Sequence, residues 1–360
     1  METTDGAAID GAAIDGLERA GGLQAGHGVV TLQHVADRAG VSRATASLAL
    51  SGKGRMSDAT RRRVRDAADD LEYVVNVRAR SLRTARSGAV GLYVPDHTLS
   101  FRYYMDVAFG AVERAQESEL LVTLMPTAFA ARSGITEQLD GFLVIDPVDG
   151  DPVVERLLAG RRPVVTGEHV EEGAPAPFAT VFGDHRAGMR TLLDHLWERG
   201  SRSPAVMVPG PEMAWGREME QGYREWCAEH DVSVQLLAGW FDTSTDAVRR
   251  NLDELFARPV HPDAVIAAPE GMATVAADAI RDAGLEVGRD VLVAAYVDTD
   301  AHALTQPSIT ALDVLPREMG RRTMELLVQA LDGSVHPGTT SELPMELVVR
   351  DSTARGLRPS

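Results

Sequence analysis

The chain has 360 residues, of which 44% are hydrophobic and 25% charged, with a single cysteine, Cys227. That composition suits a soluble globular protein of two or three domains; it excludes a disulfide framework, an all-cysteine metal site and a membrane span of the usual ~18 apolar residues, and the acidic start is not a secretory signal, so a cytoplasmic location is expected. The net charge of −17 combines +6 over residues 30–87, from 12 basic and 6 acidic side chains, with −4 over residues 1–29 and −19 over the rest, so a small basic module sits on an acidic body and only the former suits a polyanion.

Residues 1–29 carry a short repeat, Gly6-Ala-Ala-Ile-Asp10 then Gly11-Ala-Ala-Ile-Asp15, and little to bury; a disordered tail is expected. Three short helices are predicted next, over 32–39, 43–50 and 58–71, capped by Thr31, Ser42 and Ser57. Leu32, Val35, Ala36 and Ala39 share one face of the first, and Gly40 breaks it. In the third, Ala59, Val64, Ala67, Ala68 and Leu71 form the buried stripe, with Arg61, Arg62, Arg63 and Arg65 on or near its outward side. Residues 74–87 read as a basic linker. From 89 onward, β-branched runs at 89–95, 120–125, 141–146, 162–167, 178–182, 204–209, 263–268, 290–297 and 309–313 alternate with helical patterns. The helices fall at 103–118, 185–199, 215–230, 244–257, 271–284 and 315–331. Such alternation predicts parallel sheets with helices on both faces, and the number of strands predicts two sheets. Ligands in this architecture bind beyond the strand carboxyl ends.

Signals for catalysis are missing. There is no G-x-S-x-G, no G-x-x-x-x-G-K-S/T and no H-E-x-x-H. Lys53 lacks the upstream glycine of a phosphate loop, and Gly26-His-Gly28 precedes no helix start. The ten histidines are scattered, with His185 and His195 too far apart on one helix to share a metal, so surface histidines are expected. The protein is expected not to be an enzyme and to need no metal or cofactor.

Residues 30–51, VTLQHVADRAGVSRATASLALS, set two short helices about a glycine-led turn, the arrangement of a helix-turn-helix. Val41 and Ala46 can fill the space between the helices. The second helix offers Arg43, Ala44, Thr45, Ser47 and Leu48 near its start and exposed side, and such a helix fits the DNA major groove. The same stretch resembles the opening V-T-I/L-x-D-V-A-x-x-A-G-V-S-x-x-T-V-S-x-x-L-N of the LacI/GalR family of bacterial transcriptional regulators. MSDATRRRVRDAADDLEYVVNVRARSL then resembles the family's V-S-x-x-T-R-x-x-V-x-x-A-x-x-x-L-x-Y-x-P-N-x-x-A-R-x-L. DGFLVIDP, GRRPVVTGE, PREMGRRTMELLVQALDG and ELPMELVVRDST follow in the family's order.

The resemblance implies an all-α helix-turn-helix headpiece at 30–73, a hinge helix or linker at 74–87, and an α/β core of two doubly wound subdomains resembling periplasmic binding proteins. The first subdomain is expected at 88–182 and 314–340, the second at 183–313 and 341–360. It also implies a repressor that binds a near-palindromic operator in double-stranded DNA and is controlled by a small-molecule effector. The chain ends GLRPS without a heptad helix, so a homodimer is expected. By position, Thr31, Ser42, Thr45 and Asn76 match phosphate contacts, and Arg43 and Ala44 match the main base-reading positions. Leu48 replaces a frequent arginine. Ala79 and Leu82 match a minor-groove wedge on the hinge.

For the effector, the resemblance points to Tyr103, Tyr104, Glu168, Trp215, Met219, Phe241, Glu270, Val297 and Asp298. Sugar-responsive relatives carry arginine, asparagine and aspartate where Met219, Pro269 and Val297 stand here. Losing three polar groups together predicts a less polar or atypical effector, while Glu168, Glu270 and Asp298 remain to meet a polar or cationic one. Two alternatives keep the same residues: DNA binding controlled by a partner protein or by no effector, and a cytoplasmic small-molecule receptor of the binding-protein fold.

Overall fold

The computed structural model describes residues 30–50, 55–73, 86–95, 101–131, 133–238 and 245–354. The expectations for the tail at 1–29, for Lys53, for Asn76, Ala79 and Leu82 in the linker, and for Phe241 lie outside the described residues. The chain divides into two compact units, 1–83 and 84–360.

The first unit is built of α1 (Leu32–Ala39), α2 (Arg43–Leu50) and α3 (Asp58–Asp70). Each start is fixed by a hydroxyl. Thr31 Oγ1 accepts from the His34 N–H at 3.4 Å while His34 Nδ1 accepts from the Thr31 N–H at 3.2 Å, a capping box. Ser42 Oγ accepts from the Thr45 N–H at 3.1 Å and Ser57 Oγ from the Thr60 N–H at 3.2 Å; such caps contribute about 1 kcal/mol each. Gly40, at φ 62°, ends α1 by donating to Ala36 O, a left-handed conformation that glycine adopts without a Cβ clash. Val35, Ala36, Ala39, Ala46, Ala49, Val64, Ala67 and Ala68 form the core. One expectation for α3 is overturned. Ala59 is exposed, because at 100° per residue it lies about 140° round from Val64, off the buried stripe. Arg63 is exposed as expected, and its Nε–H donates to Ala39 O at 2.9 Å, satisfying the carboxyl end of α1.

In the second unit the strands are β1 (Ala89–Tyr93), β2 (Leu121–Met125), β3 (Phe142–Ile145), β4 (Val164–Gly167), β5 (Ala179–Gly183), β6 (Pro204–Val208), β7 (Leu236–Ala238), β8 (Ala264–Ala267), β9 (Leu292–Ala295), β10 (Thr310–Asp313), β11 (Thr339–Leu343) and β12 (Glu346–Val348). The helices are α4 (Arg102–Gln116), α5 (Thr127–Ala130), α6 (Ser133–Thr136), α7 (Pro152–Leu158), α8 (His185–Glu198), α9 (Ala214–His230), α10 (Thr245–Phe256), α11 (Met272–Asp282), α12 (Asp300–Leu304), α13 (Pro316–Asp332) and α14 (Asp351–Ala354). Among the described residues the strands form two six-stranded sheets, in the orders β11-β5-β4-β3-β1-β2 and β12-β10-β9-β8-β6-β7. Every pairing is parallel except β10 with β12. The inner strands, such as FLVI of β3 and AVIA of β8, are buried on both faces, as parallel sheets covered by helices require.

The chain passes from the first sheet to the second after β5, returns after β10, and passes again between β11 and β12. The last crossing lies beyond Leu343, not at 340, because β11 pairs with β5 along its whole length, Thr339 opposite Ala179 through Leu343 opposite Gly183. On the first sheet α4 and α13 touch backbone to backbone. A Cβ on Gly320 would lie 1.8 Å from Val107 O, and one on Gly110 would lie 1.9 Å from Arg317 O, so only glycine permits this approach.

Candidate functional site

On the first unit the exposed side of α2 carries Arg43, Ala44 and Leu48, with Leu48 44% exposed, while Ala46 and Ala49 face the core. Ser42 is exposed, and Thr45 and Ser47 are half-buried. The Ser42 and Thr45 hydroxyls stand 2.8 Å apart at the start of α2, where free backbone N–H groups and the helix dipole favour an anion such as phosphate. Thr31 is also exposed at the start of α1. This is a helix-turn-helix that leaves the outward face of its second helix free of core contacts.

The second unit holds a cavity between its two sheets, at the strand ends where this architecture places its ligands. From the side of the first sheet it is lined by Phe101, Tyr103, Tyr104, Asp146, Glu168 and Met319. From the side of the second come His185, Trp215, Ala268, Glu270, Tyr296 and Val297, and the crossing segments add Gly183, Val314, Leu343 and Met345. Asp146 and Glu168 directly follow β3 and β4, and both have left-handed backbones, φ 47° and 82°. That conformation costs on the order of 1 kcal/mol for a residue with a Cβ; here it turns two acidic side chains into the mouth of the sheet.

The polar groups are interlocked. Tyr104 Oη donates to Asp146 Oδ2 at 2.6 Å, and Glu168 Oε1 accepts from the Gly183 N–H at 3.3 Å. Glu168 Oε2 lies 3.0 Å from His185 Nε2, a charge contact without the alignment of a hydrogen bond. His185 Nδ1 is 3.1 Å from Tyr296 Oη. Burial, reinforced by the negative charge of Glu168, pushes Asp146 up to about 7, with Tyr104 and His185 pulling the other way. Burial works against protonation of His185, but the carboxylates of Glu168, Glu218 and Asp146 outweigh it and raise its pKa. Burial lifts Tyr103 and Tyr296 well above the usual phenol range.

The cavity is closed at its rim by contacts between the halves. Glu270, beyond β8, accepts from the Arg102 and Tyr103 N–H groups at 3.0 Å each, capping the start of α4 in place of a local side chain. On the other side Arg217 pairs with Asp149, the Asp149 N–H donates to Glu212 O at 2.8 Å, and Val148 bridges Met213.

Of the residues expected to hold an effector, Tyr103, Tyr104, Glu168, Trp215, Glu270 and Val297 line the cavity. Met219 does not. It is fully buried beneath α9 in the core cluster with Leu192, Trp226 and Ile266, an apolar side chain on the helix face turned to the sheet. Asp298 does not either. Arg350 grips its two carboxylate oxygens at 2.8 and 2.7 Å, a bidentate pair that fixes it away from the cavity. The expectation of surface histidines fails for His185, His195 and His302, all buried. His195 Nε2 stands 2.7 Å from Thr353 Oγ1, and His302 Nδ1 accepts from the Thr299 N–H at 3.3 Å. Sequence reasoning missed Asp146, His185 and Tyr296. The available signal was position: Asp146 and Tyr296 stand at or near the carboxyl ends of the predicted strand runs, and directly follow β3 and β9, where this architecture places its ligands.

Among the described residues no helix is long and apolar enough to cross a membrane, and no cluster of His, Cys, Asp or Glu is arranged to hold a metal ion. A helix-turn-helix unit joined to a two-sheet core resembling periplasmic binding proteins defines a class of DNA-binding transcriptional regulators. Comparison with known proteins specifies it further. Residues 31–76 match the bacterial regulatory proteins of the lacI family, and residues 193–353 match the periplasmic binding protein-like domain. The chain is 31% identical to the HTH-type transcriptional regulator CelR of Thermobifida fusca over 336 residues, 89% of this chain and 98% of the relative. It is 27% identical to the transcriptional repressor CytR of Escherichia coli, over 90% of this chain and 96% of the relative. The chain belongs to the LacI family. Among solved structures, a CelR–cellobiose complex aligns with TM-score 0.67 at 27% identity, covering 90% of this chain and 99% of that one. The lac repressor dimer bound to operator and an anti-inducer shares the fold, with TM-score 0.76 at 23% identity over 91% of this chain and 99% of that one.

Proposed function

We propose that this regulator is a repressor which binds a near-palindromic operator as a homodimer and is controlled by a small molecule in the core cavity. The observation that carries this reading is the exposure of Arg43 and Ala44 on a helix whose opposite side is core. Arg43 reaches a guanine edge with two hydrogen bonds, Ala44 offers a methyl, and the hydroxyls of Thr31, Ser42 and Thr45 meet phosphates and fix the register. Ser47 and Leu48 flank the reading face. Asn76, Ala79 and Leu82 complete the grip by family position, the last two as a minor-groove wedge. Effector control is supported by the cavity itself and by the cellobiose-bound relative. Because both halves contribute to its walls, a ligand that changes their closure changes the spacing of two paired headpieces, and so their fit to DNA.

Homodimer formation is supported by an apolar stripe on α4. Met105, Phe109 and Val112 recur at i, i+4 and i+7 and are 43%, 49% and 36% exposed, beside Leu121 and Leu124 on the edge strand β2. An exposed stripe of this kind suits an isologous contact with a second copy. The proposal is tested by a gel shift with the DNA upstream of the protein's own gene. A salt-sensitive preference for a palindrome within it is expected, and equal binding to unrelated duplex would overturn the repressor reading.

A further inference from the structure

We infer that the effector is a small organic cation, an amine or guanidine with an apolar or aromatic body, held by Asp146 and Glu168 against the cavity's aromatic walls. This deepens the effector reading above and rests on it.

The charge of the described lining is one-sided. Asp146 and Glu168 are each only 4% exposed, yet both line the cavity. Among the described residues no arginine, lysine, asparagine or glutamine lines it. His185 is the one lining side chain able to carry positive charge; it lies 3.0 Å from Glu168, which favours its protonation, so it offsets one of the three lining carboxylates, Asp146, Glu168 and Glu270. Glu270 is already committed to the two N–H groups at the start of α4. The polar pole of the cavity is therefore rich in acceptors, and what enters must bring donors and positive charge.

The walls are aromatic. Tyr103 and Tyr104 meet edge to face with centroids 5.0 Å apart, and Trp215 lies across from them on the other half, 5.9 Å from the His185 ring. Aromatic faces carry negative potential and hold ammonium and guanidinium groups. A polyol can donate to the same carboxylates, but each of its hydroxyl oxygens also seeks a donor, and no amide or guanidinium side chain is among the described lining to supply one. Burial and the charge of Glu168 favour the protonated form of Asp146, and a cation placed beside the two would favour its ionised form instead.

Calorimetry on the full chain tests this with phenethylammonium against its neutral counterpart 2-phenylethanol, with choline, agmatine and cellobiose as further probes. At least one cation is expected to bind about tenfold or more tightly than neutral molecules of its size. Its affinity should rise between about pH 6 and pH 8, as Asp146 ionises in the face of Tyr103, Tyr104, Glu168 and His185. Asp146→Asn and Glu168→Gln, each checked for folding by circular dichroism, should weaken the cation and leave 2-phenylethanol unchanged. Equal binding of the neutral counterpart, or no cation bound at millimolar concentration, overturns the inference. If cellobiose alone binds and shifts operator affinity, effector control stands and only the charge inference falls. If no probe binds or shifts operator affinity, both fall.

Discussion

At the scale of single residues, two side chains carry most of the argument. Arg43 stands exposed on α2. Arg43→Ala is expected to cost about 1–3 kcal/mol of operator binding while leaving non-specific DNA binding little changed, because a lost guanine contact affects only the site that presents it. Fluorescence anisotropy with specific and scrambled duplexes reads the difference. Asp146 makes the opposite kind of bargain, since its environment is unfavourable to its own charge. Its pKa stands near 7 in the folded core, against an ordinary value of 3.8. Between those limits the folded chain holds a proton that the unfolded chain has released, so stability falls as pH rises from about 4 to about 7. His185, also raised, has the same sign: its contribution is complete at pH below the ordinary histidine range and is lost as pH climbs through its folded value. Asp146→Asn keeps an acceptor for Tyr104 and removes the charge. It should stabilise the core at pH 8 by roughly 2–4 kcal/mol and hardly at all near pH 4. Denaturant titrations at the two pH values measure this, and an equal effect at both contradicts the account.

At the scale of elements, the start of α4 shows how a local rule is satisfied from a distance. Phe101 supplies no side-chain cap, and the carboxylate of Glu270 takes the role across the cavity. A charge at a helix N-terminus contributes about 0.3–1 kcal/mol, and here that energy favours the closed arrangement of the two halves. Glu270→Ala should therefore loosen closure, with a larger radius of gyration in small-angle scattering but only a small drop in melting temperature. An unchanged radius would mean that the other rim contacts hold closure by themselves. Periodicity made the buried strands legible, since runs such as FLVI and AVIA can only be covered on both faces. It passed over β7, β11 and β12, each an edge strand. In β11, TTSEL, polar residues alternate in and out of solvent, so the strand is set by its pairing with β5 and not by its hydrophobicity.

At the scale of the whole molecule, the apolar stripe of α4 and β2 links the fold to its assembly. Phe109→Arg places a charge where a second copy is expected to pack and leaves the covered side of α4 untouched. Sedimentation should then show monomers, with operator affinity falling at least as steeply, because two headpieces joined through one dimer share an effective concentration that separate ones lack. A dimer that survives this change would place the interface elsewhere. The helix-turn-helix could be read from the chain because its determinants are local. Caps, a turn glycine and alanines at helical spacing all act within a few residues, and they led to the observed α1 and α2. Six of the residues that the family likeness named line the cavity, but it misplaced Met219 and Asp298, whose directions depend on α8 packing and on Arg350, far away in sequence. What the sequence determined by itself was thus the alternation of elements, the DNA-facing helix and the basic-to-acidic division of the chain, all properties of short-range pattern. Only the tertiary structure decided that Asp146 faces the cavity, since that follows from strand ends and crossings that bring residues 101 to 345 around one space, where burial lifts its carboxyl well above the usual range.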